Sequence, residues 1–319
     1  MSVPVFYPAE IVTGYVGRLR QSEGRSSNAA VGEELHRMFG SGDVRQSLVK
    51  RLATLTSVKF DQIIAEHTLF PLYRAFSLDD VRTPYGVGIA ETRLQWTTRI
   101  SARQYQYCPL CVEEDLNHLG LSYWRRHHQI LGIDRCPEHR SQTLIRVTGK
   151  SGPERCPHHH LNDLRIVHLQ QPIKRSHSES FDERYLNICM RLLQLSSPTG
   201  KRTLLAMCKC RARSFGLTLS RDSTNRGLAN FIRKTAPPTW LARHFPRVAF
   251  GMNENSFNNM LSSPYNSVSA ELSVLVCAAF YSSSEEALQR LEVEQSSQLH
   301  QPQLNEFAGG IRVSLTRKI

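Results

Sequence analysis

Apolar side chains recur at helical spacing through most of this chain. Ile11, Val12, Tyr15, Val16 and Leu19 line one side of a first helix, which Pro8 and Glu10 are expected to open. Leu48, Val49, Leu52 and Leu55 mark a second amphipathic segment. Phe60, Ile63 and Ile64 mark a third, with Thr56-Ser57 as its expected cap. Two short helices around a tight turn suggest a helix-turn-helix over residues 44–69. Further on, Leu186, Met190, Leu193 and Leu195 form a stripe. Leu228, Phe231 and Ile232 form another, ended by Pro237-Pro238. Ala270 to Phe280 is apolar enough for a buried helix, with Cys277 as a core thiol. The pattern predicts a mainly α fold, in which helix-turn-helix regions flank a central segment whose cysteines and histidines read as a structural zinc knuckle.

The pattern also divides the chain. Residues 1–100 read as an N-terminal helical, helix-turn-helix region. Residues 101–165 crowd cysteine, histidine, proline and aromatic residues into a zinc-binding domain. Residues 166–182 read as a linker. Residues 183–294 form a C-terminal helical region, with a second possible helix-turn-helix built around Phe215-Gly-Leu-Thr-Leu-Ser and Gly227-Leu-Ala-Asn-Phe-Ile. Residues 295–319 form a polar, Gln-rich tail ending in Arg312, Arg317 and Lys318.

Composition sharpens this picture. The chain has 319 residues, 40% hydrophobic and 21% charged, as a folded protein requires. No apolar run approaches the roughly 18 residues of a membrane span, and no partner membrane is expected. The N-terminus lacks a basic flank before an apolar core, so a cytoplasmic setting with reduced thiols is expected. The eight cysteines then read as metal ligands or buried thiols. Forty Lys+Arg against 28 Asp+Glu give a net charge of +12, which favours a polyanionic partner.

The sharpest chemistry is Cys108-Pro-Leu-Cys111 followed by Cys136-Pro-Glu-His139. Each pair has two intervening residues, which sets both donors on one side of a turn, and two such pairs complete a tetrahedron. Thiolate and imidazole suit zinc. Four protein donors leave no open position, so the site reads as structural and the chain as not an enzyme. Cys156-Pro-His158-His159-His160 and Cys208-Lys-Cys210 lack standard spacing, and a second zinc site near Cys156 is not expected. Thr148-Gly149-Lys150-Ser151 lacks the upstream glycine of a phosphate loop, since Leu144 stands there. Asp79, Asp80, Glu113, Glu114 and Asp115 read as surface charge. Basic clusters offer nucleic-acid contacts: Arg125 and Arg126, Lys201 and Arg202, Lys209, Arg211 and Arg213, then Arg221, Arg226, Arg233 and Lys234.

Tyr107-Cys-Pro-Leu-Cys111, Tyr123-Trp-Arg-Arg-His-His-Gln129 and Cys136-Pro-Glu-His139 resemble the zinc motif of the TniQ/TnsD family. Glu66-His-Thr-Leu-Phe-Pro-Leu-Tyr73 is similar to a block upstream of that motif, and Phe6-Tyr-Pro-Ala-Glu10 to the family's start. The resemblance is close over residues 1–145 and looser to about residue 290. It implies a non-catalytic adaptor that selects target sites for a Tns-type transposon and couples target DNA to the AAA+ regulator TnsC. It implies two routes to the target: direct binding of an attachment site, or attachment to a CRISPR Cascade effector whose guide RNA reads sequence, often as a homodimer. The implied location is bacterial and nucleoid-associated. The rival expectations are a free-standing zinc-containing helix-turn-helix transcription regulator and a zinc-containing nuclease.

Overall fold

A computed structural model describes residues 3–39, 47–77, 84–85, 104–148, 152–161, 179–217, 227–252, 259–261 and 268–300. Among these the protein is mainly helical, as the apolar periodicity predicts. Arg221, Arg226, the lysine of the phosphate-loop-like segment and most of the expected linker and tail lie outside the described residues.

The N-terminal lobe comprises α1 (Val12–Ser22), α2 (Asn28–Phe39), α3 (Leu48–Thr56), α4 (Phe60–His67) and α5 (Phe70–Arg74). Val12, Tyr15, Val16 and Leu19 of α1 pack with Val31, Leu35, Val49, Leu52, Ile63 and Ile64 in one buried cluster. Ser47 caps α3 by accepting from the Lys50 amide at 3.3 Å. The expected Thr56-Ser57 cap works the other way. Ser57 takes a left-handed conformation at φ 57° and ends α3, while Lys59 precedes α4 with no side-chain cap.

Glu10 does not open α1 either. The helix begins at Val12, and Glu10 is fully buried against Arg18. Arg18 Nε donates to Glu10 Oε1 and Nη2 to Oε2, both at 2.7 Å, and Nη2 also donates to the Val5 carbonyl at 2.6 Å. Burial pushes the Glu10 pKa up and the Arg18 guanidinium opposes that push. The pair ties the extended residues 3–8 to the side of α1.

The cysteine-rich segment is framed by a hairpin of β1 (Gln104–Tyr107) and β2 (Ile145–Thr148), antiparallel with Gln104 opposite Thr148. Between them lie α6 (Pro109–Leu119), a 3-10 turn over Arg126–Gln129 and the loop bearing Cys136 and His139. The Ile11 amide donates to the Trp124 carbonyl and the Arg126 amide to the Ala9 carbonyl, which binds this segment to the N-terminal lobe.

The C-terminal helices are α7 (Phe181–Leu193), α8 (Lys201–Ser214), α9 (Leu228–Thr235), α10 (Pro238–His244), α11 (Pro246–Ala249), α12 (Ala270–Phe280) and α13 (Ser284–His300). Ser180 and Glu183 form a reciprocal capping box on α7. Leu195, expected on the α7 stripe, lies past its end. Residues 295–300, expected in the polar tail, continue α13. α12 is buried on nearly all sides, Cys277 included. One apolar cluster runs without a break from Ile11 through Tyr107, Trp124 and Ile130 to Tyr185, Trp240 and α12, so the cysteine-rich segment and the C-terminal helices share a core. No helix of the described residues is long and apolar enough to cross a membrane.

Candidate metal centre

The chain builds this centre from two local devices. The first is a helix start. Cys108 is the N-cap of α6, Pro109 fixes the first helical φ, and Cys111 follows in the first turn. Both sulfurs therefore sit at the positive end of a helix, where thiolates are favoured. The second is a tight loop. The Cys136 amide donates to the Gln142 carbonyl at 2.9 Å and the His139 amide to Cys136 Sγ at 3.3 Å. That bond aims the Cys136 sulfur and the His139 ring at the same point.

The donor atoms of Cys108, Cys111, Cys136 and His139 all lie within 4.8 Å of one another. His139 Nδ1 stands 3.6, 3.3 and 3.7 Å from the three sulfurs, and Cys111 Sγ stands 3.6 Å from Cys136 Sγ. A zinc tetrahedron with Zn–S near 2.3 Å and Zn–N near 2.0 Å has edges of about 3.5–3.8 Å. The donors fit a single tetrahedral cation. Their electrostatics agree. The Cys111 and Cys136 thiols pull Cys108 down to about 3, while a second thiolate beside the first is opposed and Cys111 is held up. A divalent cation removes that opposition.

A supporting shell surrounds the donors. His139 turns Nε2 to Glu114 Oε1 at 2.9 Å, leaving Nδ1 as the donor. His128 is buried with Nε2 3.4 Å from Cys136 Sγ. Arg125 makes a two-pronged pair with Asp115 at 2.7 and 3.0 Å, and its Nε lies 3.5 Å from Glu138. The acidic run is thus divided. Glu113 and Glu114 are exposed, while Asp115 lies one turn beyond Cys111 on the inner face of α6 and is buried. Asp134 gathers Arg146, Arg243 and His244 at 2.8, 3.0 and 2.8 Å and joins the loop to α10.

The basic residues separate in the same way. Arg125 is buried in its ion pair and offers no free donor face to phosphate. Arg126 donates to the carbonyls of Ala65, Thr68 and Leu193, and burial lowers its pKa to about 10. It closes the C-terminal ends of α4 and α7. Lys201 is 3% exposed and its Nζ has no hydrogen-bond partner among the described residues. Arg211 pairs with Glu286 at 3.1 Å and donates to the Phe280 carbonyl, and Arg233 donates to the Val248 carbonyl. Arg202, Arg213 and Lys234 are exposed and Lys209 is half-buried. Helical spacing sets Arg202, Lys209 and Arg213 on one face of α8.

The second cysteine–histidine cluster is taken up by packing. Cys156 is buried with its Sγ 3.4 Å from Gln21 Oε1, His158 faces Ser122, and His160 lies against Trp124. Cys208 is buried and Cys210 exposed.

Fold and site together define a helical protein assembled around one knuckle of three cysteines and a histidine. Residues 1–142 match the family model described as TniQ, a span that includes the N-terminal lobe and all four donors. The chain is also 32% identical over 88 residues to "Transposon Tn7 transposition protein TnsD" of Escherichia coli, covering 24% of this chain and 17% of that protein. Over its N-terminal 142 residues the chain is thus similar to TniQ, and over a shorter stretch to TnsD, of whose length the match spans 17%.

Proposed function

We propose that this protein is a non-catalytic target-selection adaptor of a Tn7-like transposon, joining target nucleic acid to a TnsC-type AAA+ partner. The observation that carries this reading is the TniQ match over residues 1–142, which takes in the complete metal centre. We assign the centre to zinc. When bound, zinc crosslinks the start of α6 to the Cys136 loop and so braces the shared core. Cys108, Cys111, Cys136 and His139 hold it, and His128 and Glu114 orient the donors.

We assign the nucleic-acid contacts to one face of α8, at Arg202, Lys209 and Arg213, together with the exposed Lys234 of α9. The pair α3–α4 lies where the sequence predicts a helix-turn-helix, yet its second helix exposes Asp61, Gln62 and Glu66. Carboxylates on that face repel phosphate. This favours the route in which an RNA-guided effector supplies the sequence information and α8 contributes unspecific backbone contacts.

The test is binding of the zinc-loaded chain to duplex DNA with candidate attachment sites, against scrambled duplex, across a salt series. Salt-sensitive binding indifferent to sequence is expected, with a log–log slope of about −0.9 per phosphate contact. Replacing Arg202, Lys209 and Arg213 with alanine flattens that slope by about two to three contacts. A site preference of roughly 10³-fold at physiological salt assigns direct attachment-site recognition instead. No binding at low salt, or a slope unchanged in the triple variant, contradicts the placement on α8.

A further inference from the structure

A cleft between residues 3–8 and the α3–α4 pair belongs neither to the metal centre nor to the basic face. It encloses about 510 Å³, with Val3, Val5, Phe6, Leu55 and Val58 supplying apolar walls and Glu66 at its edge. The wall formed by residues 3–8 is fixed in place. Arg18 and the Tyr15 hydroxyl donate to the carbonyls of Val5 and Pro4 at 2.6 and 2.8 Å. Phe6 is stacked between Tyr15 and His67 at 3.9 and 4.3 Å. The cleft is preformed, which lowers the ordering cost of filling it. It is also apolar at its mouth: Val5 is 71% exposed and Val3 37%.

Its charge runs against the rest of the chain. The protein carries +12, yet among the described residues no lysine or arginine lines the cleft. The Glu66 side chain is 56% exposed at the edge, and Asp61 and Gln62 are exposed on the same helix. Lys59 is exposed at the start of α4, outside the lining. On the described lining a phosphate backbone finds a carboxylate and neither lysine nor arginine. A peptide finds an apolar slot beside a negative charge.

We propose that this cleft is a docking slot for a segment of a protein partner that presents a bulky aliphatic or aromatic anchor next to a lysine or arginine. The anchor fills the space between Val5, Leu55 and Val58, and the cation pairs with Glu66. The proposal deepens the adaptor reading above, and on it the two faces divide the work: α8 for nucleic acid, the α3–α4 cleft for protein.

The probe is a library of short random peptides selected on the full zinc-loaded chain, with enriched sequences then synthesised and titrated. Enriched peptides are expected to share Phe, Leu, Ile or Met beside Lys or Arg. Val58→Asp and Glu66→Lys each weaken them at least about tenfold, the effect of losing one hot-spot contact. Exchanging the peptide's basic residue for glutamate restores binding to Glu66→Lys. Glu66 is exposed, so that variant keeps its fold and zinc content even where Val58→Asp does not. No enrichment over an unrelated protein, enrichment of acidic peptides, or affinity unchanged in Glu66→Lys overturns the proposal. Tighter peptide binding to a chain ending at residue 300 would give the slot to residues 301–319 of this chain. Dissociation of a dimer by Glu66→Lys would give it to a second copy. Either result also overturns the proposal. Peptide binding retained in a protein that binds no DNA strikes the adaptor reading alone and leaves the slot standing.

Discussion

Replacing Glu10 with glutamine keeps the side chain's shape and removes its charge. Arg18 then stays buried, 7% exposed, with the Val5 carbonyl and an uncharged amide as its partners. Removing one member of a buried, hydrogen-bonded ion pair costs about 3–5 kcal/mol, because the other charge is left uncompensated. Glu10→Gln is expected to lose that amount. Arg18→Met is expected to lose a similar amount, since it strands a carboxylate that is fully buried. The double variant strands no charge, but it still buries a glutamine amide that has lost its arginine partner, so it is not neutral. Its loss should fall short of the sum of the singles by about 2–3 kcal/mol. Urea unfolding of the zinc-loaded chain at mildly alkaline pH, followed by circular dichroism and tryptophan fluorescence, supplies the three values. Faster amide exchange in residues 3–8 should accompany each single variant, because Arg18 holds that segment. A Glu10→Gln loss under about 1 kcal/mol, or singles that simply add, would show that the pair does not anchor the N-terminal segment.

Gly17→Ala should destabilise by about 3 kcal/mol, since a Cβ there would lie 1.9 Å from the Pro153 carbonyl oxygen where α1 meets Gly152–Glu154. Gly32→Ala, in α2 with nothing near its Cβ position, should instead stabilise by about 0.5–1 kcal/mol; equal urea midpoints for the two variants would refute the close approach. His128→Phe removes the ring nitrogen that lies 3.4 Å from Cys136 Sγ and should weaken zinc binding about 10–100-fold in competition with a chelator; unchanged affinity would discharge His128 from the centre. Burial lowers the His67 pKa below 6.5, against a hydrogen bond to the Glu10 carbonyl that raises it. The folded state thus binds fewer protons at His67 than the unfolded chain. The associated stability is complete above 6.5 and is lost as pH falls from there towards the folded value. His67→Gln should flatten that part of the stability profile relative to the parent, and parallel profiles would contradict the assignment.

Local signals are legible in the sequence and distant pairings are not. Both halves of the metal centre can be read because each is a turn of four residues whose geometry is set by its own chain. The helices at Val12, Leu48, Phe60 and Leu228 show themselves by apolar spacing, and that at Ala270 by its continuous apolar run, for the same reason. The hairpin escapes a search for helical spacing, although Gln104-Tyr-Gln-Tyr107 and Ile145-Arg-Val-Thr148 alternate as strands do. The ion pairs of Glu10 with Arg18 and Asp115 with Arg125 bring together residues from separate elements, which composition and periodicity do not encode. Arg125, Arg126 and Lys201 look like surface charge for that reason. A basic residue in a run of cationic neighbours carries no local mark of facing inward. Only Arg126 offers a hint, lying between Arg125 and two histidines in a segment dense with aromatic residues.

The role assigned to the metal is tested most directly by its stoichiometry and its effect on folding, measured together. Native mass spectrometry of the full chain should show one zinc per molecule, absent from Cys108→Ser. Stripping it with a chelator should abolish cooperative unfolding of the core that joins Trp124 to Tyr185 and Trp240. A chain that carries no zinc, or one whose unfolding curve is unchanged after the zinc is removed, would contradict a structural role for the metal in holding the protein together.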